Sequence, residues 1–144
     1  MSAIGEYPPV TSKTGLSRPA GLDPADDAEF MALTATTFEA TRAERYVYGL
    51  VDRGWISERR ADKAVETLRG LLRQLPGLPI PNIAPGPDDL IGFSWRTRDH
   101  HLSLELHADG HFEAFHEDLA SRALWSDENG CVPVGLLDRL TNVI

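Results

Sequence analysis

Cysteine is nearly absent from this sequence: Cys131 stands alone among 144 residues. A lone cysteine closes no internal disulfide, so a disulfide scaffold is excluded and a reducing, cytoplasmic setting is expected. For Cys131 itself, the simplest expectation is a small buried apolar side chain. Long apolar runs are missing as well. No stretch reaches the roughly 20 apolar residues that a membrane-spanning helix needs, and residues 1–23 hold no signal-peptide core. Basic charge is scarce, with 14 Lys and Arg against 22 Asp and Glu and a net charge of −8. That balance argues against general affinity for phosphate backbones, so neither direct nucleic-acid binding nor membrane association is expected. Catalytic motifs are lacking too: there is no Gly-rich phosphate loop, nucleophile elbow, CxxC or HExxH. The expectation is a non-enzyme with no catalytic residues and no cofactor.

What is present is ordinary globular composition, 42% hydrophobic and 25% charged, in a length that suits one domain. Residues 1–23 carry Pro8, Pro9 and Pro19 among Ser, Thr and Gly, and are expected to form a flexible arm. Residues 24–144 are expected to form a single α+β domain. Asp23-Pro24 reads as a helix start, and Asp26, Asp27 and Glu29 complement the helix dipole behind it. A helical region over about 24–53 follows, weakened and open to a break near Thr34, Thr36 and Thr37, and ended by Gly54. A second helix over about 58–75 is clearer. Ser57 can cap it, and Ala61, Ala64, Val65, Leu68, Leu71, Leu72 and Leu75 form one apolar stripe at spacings of three and four. Glu66 lies near Arg69 for local pairing. Pro76-Gly77 stops this helix, and Pro79, Pro81, Pro85 and Pro87 predict an extended linker.

Strict alternation then sets in. Ile91, Phe93 and Trp95 share one face of a strand, and Leu102, Leu104 and Leu106 share one face of the next. A connection centred on Arg98-Asp99 pairs Trp95 with Leu102, Phe93 with Leu104 and Ile91 with Leu106. His107 to His111 fits a three-residue hairpin loop with Gly110 left-handed, which sets Leu106 opposite Phe112 and Leu104 opposite Ala114. A two-residue Asp-Gly turn would put Glu113 among the apolar side chains and is rejected on that ground. Arg122 to Ser126 is a candidate fourth strand, Asn129-Gly130 a turn, and Pro133 to Ile144 a short closing helix with Leu136, Leu137, Leu140 and Ile144 on its apolar side. The expected fold is therefore α+β: N-terminal helices on one face of a meander of 3–4 antiparallel strands over about 90–126, with a C-terminal helix over about 133–144.

The other face of that meander gathers the candidate site. All five histidines lie between His100 and His116. The register puts His107 opposite His111 and Glu105 opposite Glu113, an arrangement that could hold a divalent metal. An ordinary solvated sheet face is the simpler account of the same residues. Phe115 falls on this face beside Ser94 and Ser103, either covered by the C-terminal segment, which is the favoured expectation, or anchoring a partner. Trp55 and Trp95 are expected in the core or at its edge.

Residues 50–125 resemble a widespread group of small uncharacterised prokaryotic proteins. The resemblance rests on Gly54-Trp55, Leu75-Pro76, Pro81-Asn82-Ile83-Ala84-Pro85, Ile91-Gly92-Phe93-Ser94-Trp95, Leu102-Ser103-Leu104-Glu105-Leu106 and Asp109-Gly110. The group's first Asp-Gly turn is Asp88-Asp89 here, a departure from its pattern. The resemblance implies the same helix-then-meander layout, no catalytic residues, and an association with mobile or defence-related gene sets.

Charge is uneven along the chain, with eight acidic residues against two arginines from Asp88 to Asp118. The first functional expectation is a protein that binds a protein partner through Glu105, Glu113, His107, His111 and Phe115, for example a toxin-neutralising protein or a phage-type inhibitor. The alternatives are a metal-binding protein using His107, His111, Glu105 and Glu113, and an assembly subunit using the Leu/Ala helix.

Overall fold

The computed structural model describes the backbone of residues 24–144 and the side chains of residues 38–144. The expected arm, residues 1–23, and the side chains of Phe30 and Leu33 lie outside the described residues. The chain divides into two units, residues 1–37 and 38–144. The sheet and its core belong wholly to the second.

Helix α1 is Pro24–Asp52 and is not broken at Thr34, Thr36 or Thr37. The helix penalty of each threonine is only about 0.5 kcal/mol, too little to end a helix alone. Gly54, at φ 77°, closes the last turn through its N–H to the Val51 carbonyl, as expected of a left-handed terminator. Helix α2 is Glu58–Gln74, capped by Ser57, whose Oγ accepts the Arg60 N–H at 3.1 Å. Its stripe is buried at Ala61, Ala64, Val65, Leu68 and Leu71, alongside Ala43, Val47 and Leu50 of α1. Arg69 does not pair with Glu66. It grips Glu44 of α1 with two bonds of 2.7 and 2.8 Å, because planar guanidinium favours a bidentate carboxylate.

The sheet has five strands in sequence order, not the expected 3–4. They are β1 (Asn82–Gly86), β2 (Leu90–Arg96), β3 (His100–Leu106), β4 (Phe112–Asp118) and β5 (Leu124–Asn129), all antiparallel. The expected registers hold: Trp95 faces Leu102, Phe93 faces Leu104, Leu104 faces Ala114, and Leu106 faces Phe112. Gly110 sits at φ 96°, and His107 and His111 close the loop through an N–H to carbonyl bond of 3.0 Å. The added strand β1 occupies the proline-rich stretch read as linker. Prolines fit there because β1 is an edge strand, which needs backbone donors on one side only.

Asp88-Asp89 makes the β1–β2 turn without glycine, at φ 57° and 61°. Asp89 is held there by its carboxylate, which accepts the backbone N–H and the hydroxyl of Ser57, both at 2.7 Å. Buried Arg60 lies 3.9 Å from Asp89 through Nε and donates from Nη2 to the Ala108 carbonyl at 2.9 Å. One helix end thus ties two hairpin turns together.

Helix α3 (Val134–Leu140) and a 3₁₀ turn (Thr141–Val143) close the same side, burying Leu136, Leu140 and Val143. Ile144, expected on this apolar side, is exposed because the helix has already ended. Gly135 lets α3 approach closely, since a Cβ there would meet the Trp125 ring at 2.8 Å. The core lies between the helices and one face of the sheet, with Ile91, Phe93, Leu104 and Leu106 at its centre. Each such side chain contributes roughly 1.5–3 kcal/mol by leaving water. Trp95 is buried as expected, its indole donating to the Pro79 carbonyl at 2.9 Å. Trp55 is not in the core; it is 55% exposed, because Gly54 turns the chain outward before Ile56 takes the buried position. Among the described residues, no helix is long and apolar enough to cross a membrane.

Candidate functional site

The alternation that buries one face of β2, β3 and β4 commits the intervening residues to the other face. Three adjacent strands set Glu105 beside Glu113 and Glu113 beside Glu128, a row of carboxylates across the sheet. Next to this row the hairpin brings His107 against His111 with parallel rings, 4.3 Å between centroids and 5° between planes. Four of the expected residues, Glu105, Glu113, His107 and His111, are therefore brought together.

His107 Nε2 is 2.9 Å from Glu113 Oε1 and 3.3 Å from Glu105 Oε1, so one imidazole serves two carboxylates. His111 Nδ1 is 2.5 Å from Asp109, and its Nε2 points toward Glu128 at 4.0 Å. The hydrogen bond that the His111 ring donates to Asp109 holds the imidazole above the usual histidine range. Asp109 in turn accepts the His111 backbone N–H and the ring, which keep its carboxyl below the usual range. Glu128 is pushed up by its hydrogen bond to Glu113 and by the repulsion of that neighbouring charge. One donor atom from each of His107, His111 and Glu113 lies within 4.8 Å of the others.

Phe115 stands one row along from Glu113, between Ser103 and Ser126. It is 37% exposed, so the favoured expectation of a covering C-terminal segment fails. That segment goes beside Phe115 as β5 and then folds to the helical side. Cys131 is likewise exposed rather than buried, because it lies just past the end of β5.

Sequence reasoning missed Glu128 and Asp109. Glu128 was hidden because β5 has no apolar alternation, its residues being largely exposed. From sequence Asp109 is a turn former, and its place two residues before His111 is the spacing of a side chain that bonds forward to the backbone.

A second histidine cluster lies on the helical side. His116 is buried between His100, at 3.0 Å, and Arg139 of α3, also at 3.0 Å, while Arg139 stacks on Trp125 at 4.3 Å. Burial, then the charge of Arg139 and the neighbouring His100, hold His116 below the usual histidine range.

No protein-family model, curated protein or solved structure matches the chain.

Proposed function

We propose that the protein is a non-enzymatic interaction module that binds a basic protein partner through the exposed face of its sheet. One observation carries this reading: Glu105, Glu113 and Glu128 form a continuous acidic row across three strands, on the face opposite the helices and core. Like charges placed side by side lower the stability of the free sheet, and a basic surface would relieve that repulsion on docking. Phe115 supplies an aromatic contact on the same face. A protein that neutralises a basic toxin, or an inhibitor of the phage or defence type, is the kind of activity this surface suits. The resemblance of residues 50–125 to small prokaryotic proteins agrees with that class, and the single cysteine agrees with a cytoplasmic setting. The reading as an assembly subunit is less favoured, since the Leu/Ala stripe of α2 is buried in the chain's own core.

The test compares the wild-type chain with an E105K/E113K/E128K variant as baits for proteins of the source cell. The expected partner carries a basic surface, is released by about 0.5 M salt through screening, and is lost with the variant. A specific partner that ignores both salt and charge reversal would overturn the reading.

A further inference from the structure

We propose a second, separate property of the same hairpin: His107, His111 and Glu113 form a binding site for a divalent transition-metal ion of the zinc class. Their donor atoms lie within 4.8 Å of one another. A tetrahedral zinc site with bonds of 2.0–2.2 Å sets its ligand atoms about 3.3 Å apart. The two separations at His107 lie close to that spacing: its Nε2 is 2.9 Å from Glu113 and 3.3 Å from Glu105. Closing the set needs only side-chain rotation on a half-exposed surface.

The donor chemistry points the same way. Two imidazoles with one or two carboxylates suit zinc rather than calcium or magnesium, which favour oxygen alone. Each histidine has a defined donor. His107 presents Nε2 to the carboxylates. His111 has Nδ1 bound to Asp109, which leaves Nε2 as its lone-pair donor. A carboxylate on the far nitrogen of a ligand histidine orients the ring and raises its basicity. Asp109 occupies that position and is itself held by the His111 backbone N–H at 3.0 Å. Glu105 is the nearest fourth ligand, and Glu128 lies 4.0 Å from His111 Nε2 on the other side. The backbone is fixed beneath the site by the left-handed Gly110 and by the paired strands, so the two imidazoles are preorganised. This proposal does not rest on partner binding.

The test uses the full chain, free of any histidine tag and stripped of metal, titrated with ZnCl₂ in a calorimeter without a partner. One Zn²⁺ per chain is expected, with a rise in melting temperature. His107→Gln and His111→Gln should each weaken binding roughly tenfold or more. His101→Gln, which alters an exposed-face histidine outside the site, should leave it unchanged. Asp109→Asn should weaken binding while leaving the stoichiometry at one, as a positioning residue would. Glu113→Gln keeps the side-chain shape and guards against a trivial loss of fold. The proposal is overturned if no heat appears up to millimolar Zn²⁺, or if His107→Gln and His101→Gln bind alike. Either result would leave the charge-reversal test of the sheet face unaffected.

Discussion

Arg139 Nη1 lies 3.0 Å from Nδ1 of His116, and because a guanidinium can only donate, His116 must accept there as a neutral imidazole. Its Nε2–H is then left to donate to Nδ1 of His100, also at 3.0 Å. Protonating His116 breaks the first bond and sets a cation against Arg139. Because the folded pKa is depressed, the stabilising contribution is present above the unfolded value of about 6.5 and is lost as pH falls below it. Arg139 on α3 and His100 on β3 oppose the charged form, and Asp118 on β4 partly offsets them. We predict that the urea midpoint falls between pH 7 and pH 5, and that His116→Gln flattens this dependence. Equal pH profiles for the two chains would contradict the assignment.

Asp88 and Asp89 share left-handed backbone but should respond in opposite ways to glycine. Relieving φ at Asp88 gains about 0.5–1 kcal/mol. Asp89→Gly gains the same relief but loses both bonds to Ser57 and the charge facing buried Arg60. Hydrogen bonds to a charged group contribute about 1.5–3 kcal/mol each, so losing two outweighs that relief and the net change should be a loss of about 2–5 kcal/mol. Chemical denaturation of the two variants reads the difference in sign directly.

The central strands were legible because two independent signals agreed. Alternation of Phe93 with Trp95 and of Leu102 with Leu104 named the buried face, and loop chemistry at Gly110 chose the register. The edge strands were less legible, for opposite reasons: β1 was not expected, and β5 was expected only as a candidate strand over Arg122 to Ser126, short of its end at Asn129. Pro85 within β1 and Pro81 just before it mimic a linker, since periodicity says nothing of which backbone donors need partners. In β5, polar residues populate both faces, so no period exists to detect. His107, His111, Glu105 and Glu113 were found because they follow from the register alone. Glu128 depended on β5, and the Arg60–Asp89 contact joins residues distant in sequence, so neither could be read locally.

Removing one charge from the acidic row should stabilise the free protein. Glu128 has a raised folded pKa, so its contribution is greatest at low pH and is lost as pH rises through that value. Glu128→Gln should therefore melt higher than wild type at pH 7. The gap should narrow in about 0.5 M salt, where exposed charges are screened. Thermal melts at two salt concentrations check this.

Two phenylalanines on opposite faces of the sheet, Phe93 of β2 and Phe115 of β4, separate fold from function. Phe93 is fully buried, and its replacement by alanine should cost about 3–5 kcal/mol. That is a large part of the stability of a domain this size. Phe115→Ala should stay within about 1 kcal/mol of wild type, since the side chain already meets solvent. Equilibrium unfolding of both variants measures the contrast.

Hydroxyl-radical footprinting of the partner complex tests the acidic-face reading most directly. Phe115 and Trp55 are both exposed in the free chain and serve as internal reporters on different surfaces. The account predicts that Phe115 becomes protected when the partner is bound, while Trp55 keeps its reactivity. Phe115 remaining as reactive in the complex as in the free chain would contradict it.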